Sequence, residues 1–173
     1  GGLLAVYAVL LGLNMRANQL FSSISSSPDP FGTLKSIVVM DRFEWKDYML
    51  TYVYNAVNVP QESPVRAQAD EYAAQLMQAE SNSAPLYVAR YYFGTDQVQK
   101  GFAALEKYGT YVVSDPDTWK EIFQLLESEE RDTGEFREGV ARLYQILQDW
   151  NATSIGPVKL SEQAEAFVQR VAG

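Results

Sequence analysis

Pro85-Leu-Tyr-Val-Ala-Arg-Tyr-Tyr92 and Trp119-Lys-Glu-Ile-Phe-Gln-Leu-Leu126 start 34 residues apart (85 to 119) and can be laid over each other without a gap. Each reads as the first helix of a pair, because apolar residues three and four positions apart fall on one face of a 3.6-residue turn. Around the first copy, a helix over 84–93 is expected to end at Gly94. Thr95 then caps a second helix that carries Val98, Phe102 and Leu105 and closes at Gly109. Around the second copy, Ser114-Asp115-Pro116 opens a helix with Trp119, Ile122, Phe123 and Leu126 on one face, and the charged run 127–132 with Gly134 marks a turn. Phe136, Val140, Leu143, Tyr144 and Leu147 define the next helix, of about four turns at 3.6 residues per turn.

The same period extends outward. Trp45, Met49, Tyr52, Val53 and Ala56 form a stripe on a helix over about 43–58, which Pro60 ends. Ser63-Pro64 starts another over about 64–80, with Val65, Ala69, Tyr72, Ala73 and Leu76 on its apolar side. After a loop containing Gly156-Pro157, Ser161 caps a last helix bearing Ala164, Phe167, Val168 and Val171. Strand signals are few: Thr110-Tyr-Val-Val113 has β-type composition, but four residues between a Gly and an Asp-Pro read as a linker or helix end. The expected fold class is all-α, built from antiparallel helix pairs.

Thirty-four residues is the period of tetratricopeptide helix pairs. Small residues Gly101, Ala103 and Ala104 sit in the second helix, where close helix contact favours them, and an Asp-Pro precedes the next unit. The consensus is otherwise degenerate, with no Leu-Gly pair in the first helix and aromatic positions that drift between units. Two architectures fit: a degenerate tetratricopeptide-like right-handed solenoid, or a helical bundle with coincidental spacing.

Upstream, residues 1–13, Gly-Gly-Leu-Leu-Ala-Val-Tyr-Ala-Val-Leu-Leu-Gly-Leu, carry no charge. At about 1.5 Å per residue they cover roughly 20 Å of helix, short of the roughly 30 Å of a bilayer core. They read as the last turns of a transmembrane helix; the alternative is an apolar N-terminal helix buried in the domain's own core. Ser22-Ser-Ile-Ser-Ser-Ser-Pro-Asp-Pro30 is a break. The expected organisation is therefore 1–21 as the end of a transmembrane or apolar helix, 22–30 as linker and 31–173 as one helical domain.

Net charge is −8, from 14 basic and 22 acidic residues, with the basic ones scattered singly. This excludes nucleic acid as an expected partner and disfavours an anionic membrane surface. The absence of Cys and His removes His-dependent triads, thiol nucleophiles, the usual zinc sites, and haem or iron–sulfur ligation. No cofactor, metal or catalytic residue is expected. Asn151-Ala-Thr153 fits the glycosylation acceptor pattern and, as a single triplet, carries no weight.

Leu10-Leu-Gly-Leu-Asn-Met-Arg-Ala-Asn-Gln19 and Phe31-Gly-Thr-Leu-Lys-Ser-Ile-Val-Val-Met-Asp-Arg-Phe-Glu-Trp-Lys-Asp-Tyr48 resemble the C-terminal part of the O-antigen ligase and polymerase family of bacterial membrane proteins. In that family a final transmembrane helix leads through an Asn-rich joint and a short helix, ending in a phrase like Ala-Leu-Asn-Pro-Phe, to helix pairs outside the cytoplasmic membrane. Here Met40-Asp41-Arg42-Phe43 occupies that place, with Arg42 where the proline would be. The resemblance covers residues 1–60 directly and the remainder only through the helix-pair pattern. It implies an accessory extracytoplasmic domain of a membrane protein in surface polysaccharide polymerisation or ligation. The family's catalytic basic residues lie in its membrane core and a large loop that this chain does not match, so none is carried over.

Two constellations remain. Glu127, Glu129, Glu130, Asp132, Glu135 and Glu138 read as a solvated face across a turn, since catalysis or cation binding needs carboxylates at fixed separation. Tyr87 and Tyr91, four apart with Arg90 between them, suit a peptide, a sugar or an acidic group. In a helical solenoid the first helix of each pair lines the concave surface, which makes Tyr87, Arg90, Tyr91, Lys120 and Gln124 the expected partner-binding residues. The leading expectation is a non-catalytic domain that binds a protein or glycan partner. A soluble helical scaffold without membrane tie is the alternative, and a carboxylate hydrolase the third reading.

Overall fold

The computed structural model describes residues 2–40, 44–79 and 84–173, with side chains from residue 5 onward. Among these residues the chain is all-helical, with no strand. The helices are α1 (Gly2–Ser22), α2 (Pro30–Met40), α3 (Trp45–Asn55), α4 (Pro64–Gln78), α5 (Ala84–Gly94), α6 (Val98–Tyr111), α7 (Pro116–Ser128), α8 (Gly134–Thr153) and α9 (Glu162–Ala172). Short 3-10 turns follow α1 at Ile24–Ser26 and α3 at Ala56–Asn58. Residues 41–43 of the Met40–Phe43 phrase, and the expected helix ends at 43 and 80, lie outside the described residues. The chain divides into two compact units, residues 1–76 and 77–173, a boundary inside the stretch that the sequence reads as one domain.

In the first unit, α2 packs on α1 and on α3. Ala17, Ile37 and Tyr48 are buried together, with Leu20 and Val38 against them. Rings continue the contact: Phe21 meets Tyr48 edge-on at 5.2 Å, Phe31 meets Tyr52 at 5.0 Å and Tyr52 meets Tyr72 at 5.2 Å. Such pairs add about 0.5–1.5 kcal/mol each beyond area burial. The Ser- and Pro-rich break is real, yet its last residue, Pro30, opens α2, where a missing N–H costs nothing. Asp29 caps that helix by accepting from Gly32 N at 2.9 Å.

Among the described residues only the second half of α1 joins this core, and the first buried side chain there is Ala17. Residues 5–13 are exposed, apart from half-buried Leu10, with Val6 at 60%, Tyr7 at 66% and Val9 at 62%. The alternative in which residues 3–13 pack into the domain's own core is therefore not met by residues 5–13. Among the described residues no helix is long and apolar enough to cross a membrane. α1 reaches 21 residues only by taking in Asn14, Arg16, Asn18 and Gln19.

The second unit has one continuous core. α6 packs on α5, α7 and α8, and α9 on α7 and α8. Phe93, Phe102 and Phe136 meet edge-on, with centroids 5.2–6.3 Å apart, in the same core as fully buried Trp119. Gly101 seats the Phe93 ring and Gly139 seats the Phe102 ring: an added Cβ would lie 2.9 Å and 2.4 Å from ring carbons. Asp115, Thr133 and Ser161 cap α7, α8 and α9 through side-chain oxygens.

The burial pattern repeats. Residues 85–92 and 119–126 agree position by position in burial, Leu86 and Lys120 excepted. The second helices align at 38 residues instead: Val98 with Phe136, Gly101 with Gly139, Phe102 with Val140, Leu105 with Leu143, all buried. Four extra residues between Leu126 and Phe136 separate the two registers, which is why a single period leaves the consensus drifting.

Several boundaries differ from expectation. Gly109 does not close α6; it is buried inside it against Trp119 and Ile122, so its smallness serves a helix crossing rather than a stop. Thr95 does not cap α6. Its hydroxyl donates to Tyr92 O and accepts from Gln97 Nε2, while Asp96 takes the left-handed backbone conformation, φ 62°. Thr110 and Tyr111 do form a helix end, one of the two readings of that stretch, as the last residues of α6. α8 runs 20 residues rather than four turns, because Asn151 holds its polar last turn in place. Asn151 Nδ2 donates to Val158 O and its Oδ1 accepts from Val158 N, both at 2.8 Å.

Candidate functional site

Asp117, Lys120, Gln124 and Glu127 recur three and four positions apart and so share one outward face of α7. Facing it are the segment 159–161 and the first turn of α9. The Asn151 clasp fixes the approach to that segment, and Ser161 fixes its end by accepting from Ala164 N at 3.2 Å. Between them runs a groove of about 520 Å³, within the size range of ligand-holding clefts. Pro116, Leu160 and Ala164 supply its apolar lining, and Lys159 and Gln163 complete its polar rim.

The groove holds unspent charge. Among the described residues Lys120 and Lys159 make no ion pair or hydrogen bond, and the amide of Gln124 has no partner. The other cations of the second unit are engaged. Arg131 pairs with Asp96, Arg137 with Asp132, Arg142 with Glu106 and Arg170 with Glu130. Lys100 bonds Gln97, Lys107 bonds the Met77 carbonyl, and Arg90 stacks on Tyr87. Of the two acids on the rim, Glu127 accepts from Gln163 Nε2 at 2.6 Å, and Asp117 lies at the far end of the same face.

Of the expected partner-binding residues, Lys120 and Gln124 line this groove. Tyr87 and Arg90 are exposed on α5 and pair with each other, the guanidinium 6.0 Å from the ring centroid, and do not line it. Tyr91 is fully buried and packs beside Tyr92 at 5.7 Å, so it is an interior residue and no contact for a docked partner. Residues i and i+4 on a helix are offset by about 40°, enough for the edge of the buried face to fall between Tyr87 and Tyr91. Lys159 and Gln163 were missed. Ser161 signals the helix start, but nothing local places the preceding loop against α7.

The acidic run 127–132 is tied down rather than merely solvated: Gln163 binds Glu127, Arg131 lies 3.7 Å from Glu129, and Arg170 and Arg137 hold Glu130 and Asp132. Elsewhere in the second unit, burial and the hydrogen bond it donates to Glu121 at 2.7 Å push the Tyr108 phenol up to about 12. No family model, no curated protein and no solved structure matches the chain.

Proposed function

We propose that this chain is a non-catalytic docking domain, held at a membrane by the first half of α1, on the extracytoplasmic side of a bacterial protein that polymerises or ligates surface polysaccharide. The observation that carries the membrane tie is the exposure of residues 5–13 around α1. A helix that docks on one partner buries a stripe and keeps its other faces polar. These nine uncharged residues make two and a half turns at 3.6 residues per turn, so every side of the helix offers apolar surface. Hydrocarbon accepts such a helix because its backbone groups are satisfied internally.

The likeness of residues 10–19 and 31–48 to O-antigen ligases and polymerases supports the glycan-assembly setting. The packed pair α5–α6 and the burial registers shared by α5 with α7 and by α6 with α8 support a degenerate helical repeat, in which α8 packs mainly on α6 and α9 instead of closing a second pair with α7; helical repeats work by presenting a docking surface.

The chain has no cysteine, so a single environment-sensitive nitrobenzoxadiazole dye can be attached at Val9→Cys or, for comparison, at Ile155→Cys in the second unit. With phosphatidylcholine vesicles, emission at position 9 is expected to shift to the blue and be quenched by spin-labelled lipid, while position 155 stays unchanged. Equal, unshifted emission from both sites refutes the membrane tie.

A further inference from the structure

We infer that the groove between α7 and α9 binds an extended peptide segment that places a carboxylate between Lys120 and Lys159. The inference rests on the docking half of the function proposed above and is independent of the membrane half. Lys120 and Lys159 are the two cations of the second unit without a partner among the described residues, and both line one groove. In a chain of net charge −8 that spends its other cations of this unit on internal contacts, two lysines left open in one cleft amount to charge complementarity toward an anion.

The remaining lining narrows the anion to part of a peptide. Gln124 offers an unengaged donor and acceptor, which match the N–H and C=O of an extended backbone. Pro116, Leu160 and Ala164 offer apolar surface that a small inorganic ion cannot use. A sugar ring lacks a stacking platform, because Phe123, the aromatic of this lining, is 1% exposed. Asp117 and Glu127 stand ten residues apart on α7, about 15 Å at 1.5 Å per residue, and repel a second acid at either end. The carboxylate is thus steered to the stretch between the two acids, which Lys120 enters one turn from Asp117.

The test uses the full chain and fluorescence anisotropy with fluorescein-labelled, C-terminally amidated octapeptides that alternate Leu with Gln, except that one central Gln is replaced by Glu or Lys or kept. A fourth probe, the glutamine peptide with a free C-terminus, distinguishes a chain-end carboxylate from a side chain. At least tenfold tighter binding of a carboxylate-bearing probe than of the amidated glutamine peptide is expected. That preference should vanish when Lys120→Gln and Lys159→Gln are combined, two exposed changes whose folding is checked by melting, and persist in Lys46→Gln. Equal affinity for all probes would leave docking standing and overturn the acidic preference, as would a preference that survives the double substitution. Failure of every probe to bind would overturn peptide docking at this groove as well.

Discussion

Phe102 packs against Gly139, so close that a Cβ there would sit 2.4 Å from the ring. The ring has no room to withdraw, since Phe102 is fully buried between Phe93 and Phe136. Gly139→Ala is expected to destabilise the second unit by about 1–3 kcal/mol, the usual cost of overpacking, despite alanine's advantage of about 1 kcal/mol in a helix. Gly134→Ala, where a Cβ meets nothing within 4 Å, should be neutral or stabilising. Urea denaturation of the two variants checks the contrast.

Arg131 reaches back to the Phe93 carbonyl and to Asp96, tying the segment after α7 to the α5–α6 turn. Its side chain is 24% exposed, whereas Arg137 and its partner Asp132 are 57% and 89% exposed. Arg131→Ala should therefore cost about 1–2 kcal/mol, and Arg137→Ala less than about 0.5 kcal/mol. Chemical denaturation curves give both numbers.

Burial first, then Tyr72 and Asp29, push the Tyr52 phenol up to about 12, and Tyr108 stands at about the same value. The folded chain keeps these two protons in a range where the unfolded chain, titrating near 10, has lost them. Stability is therefore expected to fall as pH rises from 10 towards 12. Tyr108→Phe should flatten that fall, as read by melting at successive alkaline pH values, with tyrosinate absorbance reporting the ionisation.

Asn151 holds Val158 through two hydrogen bonds just ahead of Lys159. Asn151→Ala should cost about 1–3 kcal/mol through the unpaired backbone groups it leaves. It should also weaken carboxylate-peptide binding without touching the groove. Anisotropy with the octapeptide bearing one central Glu measures the second effect, and denaturation the first.

Most helices were legible because stripes such as Trp119, Ile122, Phe123 and Leu126 repeat at the helical period and have the core on one side only. Boundaries were less legible where one residue type serves two purposes. Gly109 reads as a stop but is a close-packing site, and Pro30 reads as a break but opens α2. The Gly101 and Gly139 pair carries the 38-residue register, which a search at 34 residues cannot find. Half of the groove was legible on α7, since Lys120 and Gln124 face outward by spacing alone. Lys159 reaches it by tertiary packing of a loop, and local sequence carries no signal for that.

The most direct test of the account is a melting comparison between this chain and one lacking residues 1–13, whose described side chains, 5–13, all lie ahead of buried Ala17. An unchanged melting temperature, with loss of self-association and of vesicle binding, is the predicted result and marks this segment as a membrane-seeking extension of an independently stable helical domain. A fall in melting temperature of several degrees would contradict it, because residues 5–13 would then be holding the domain together.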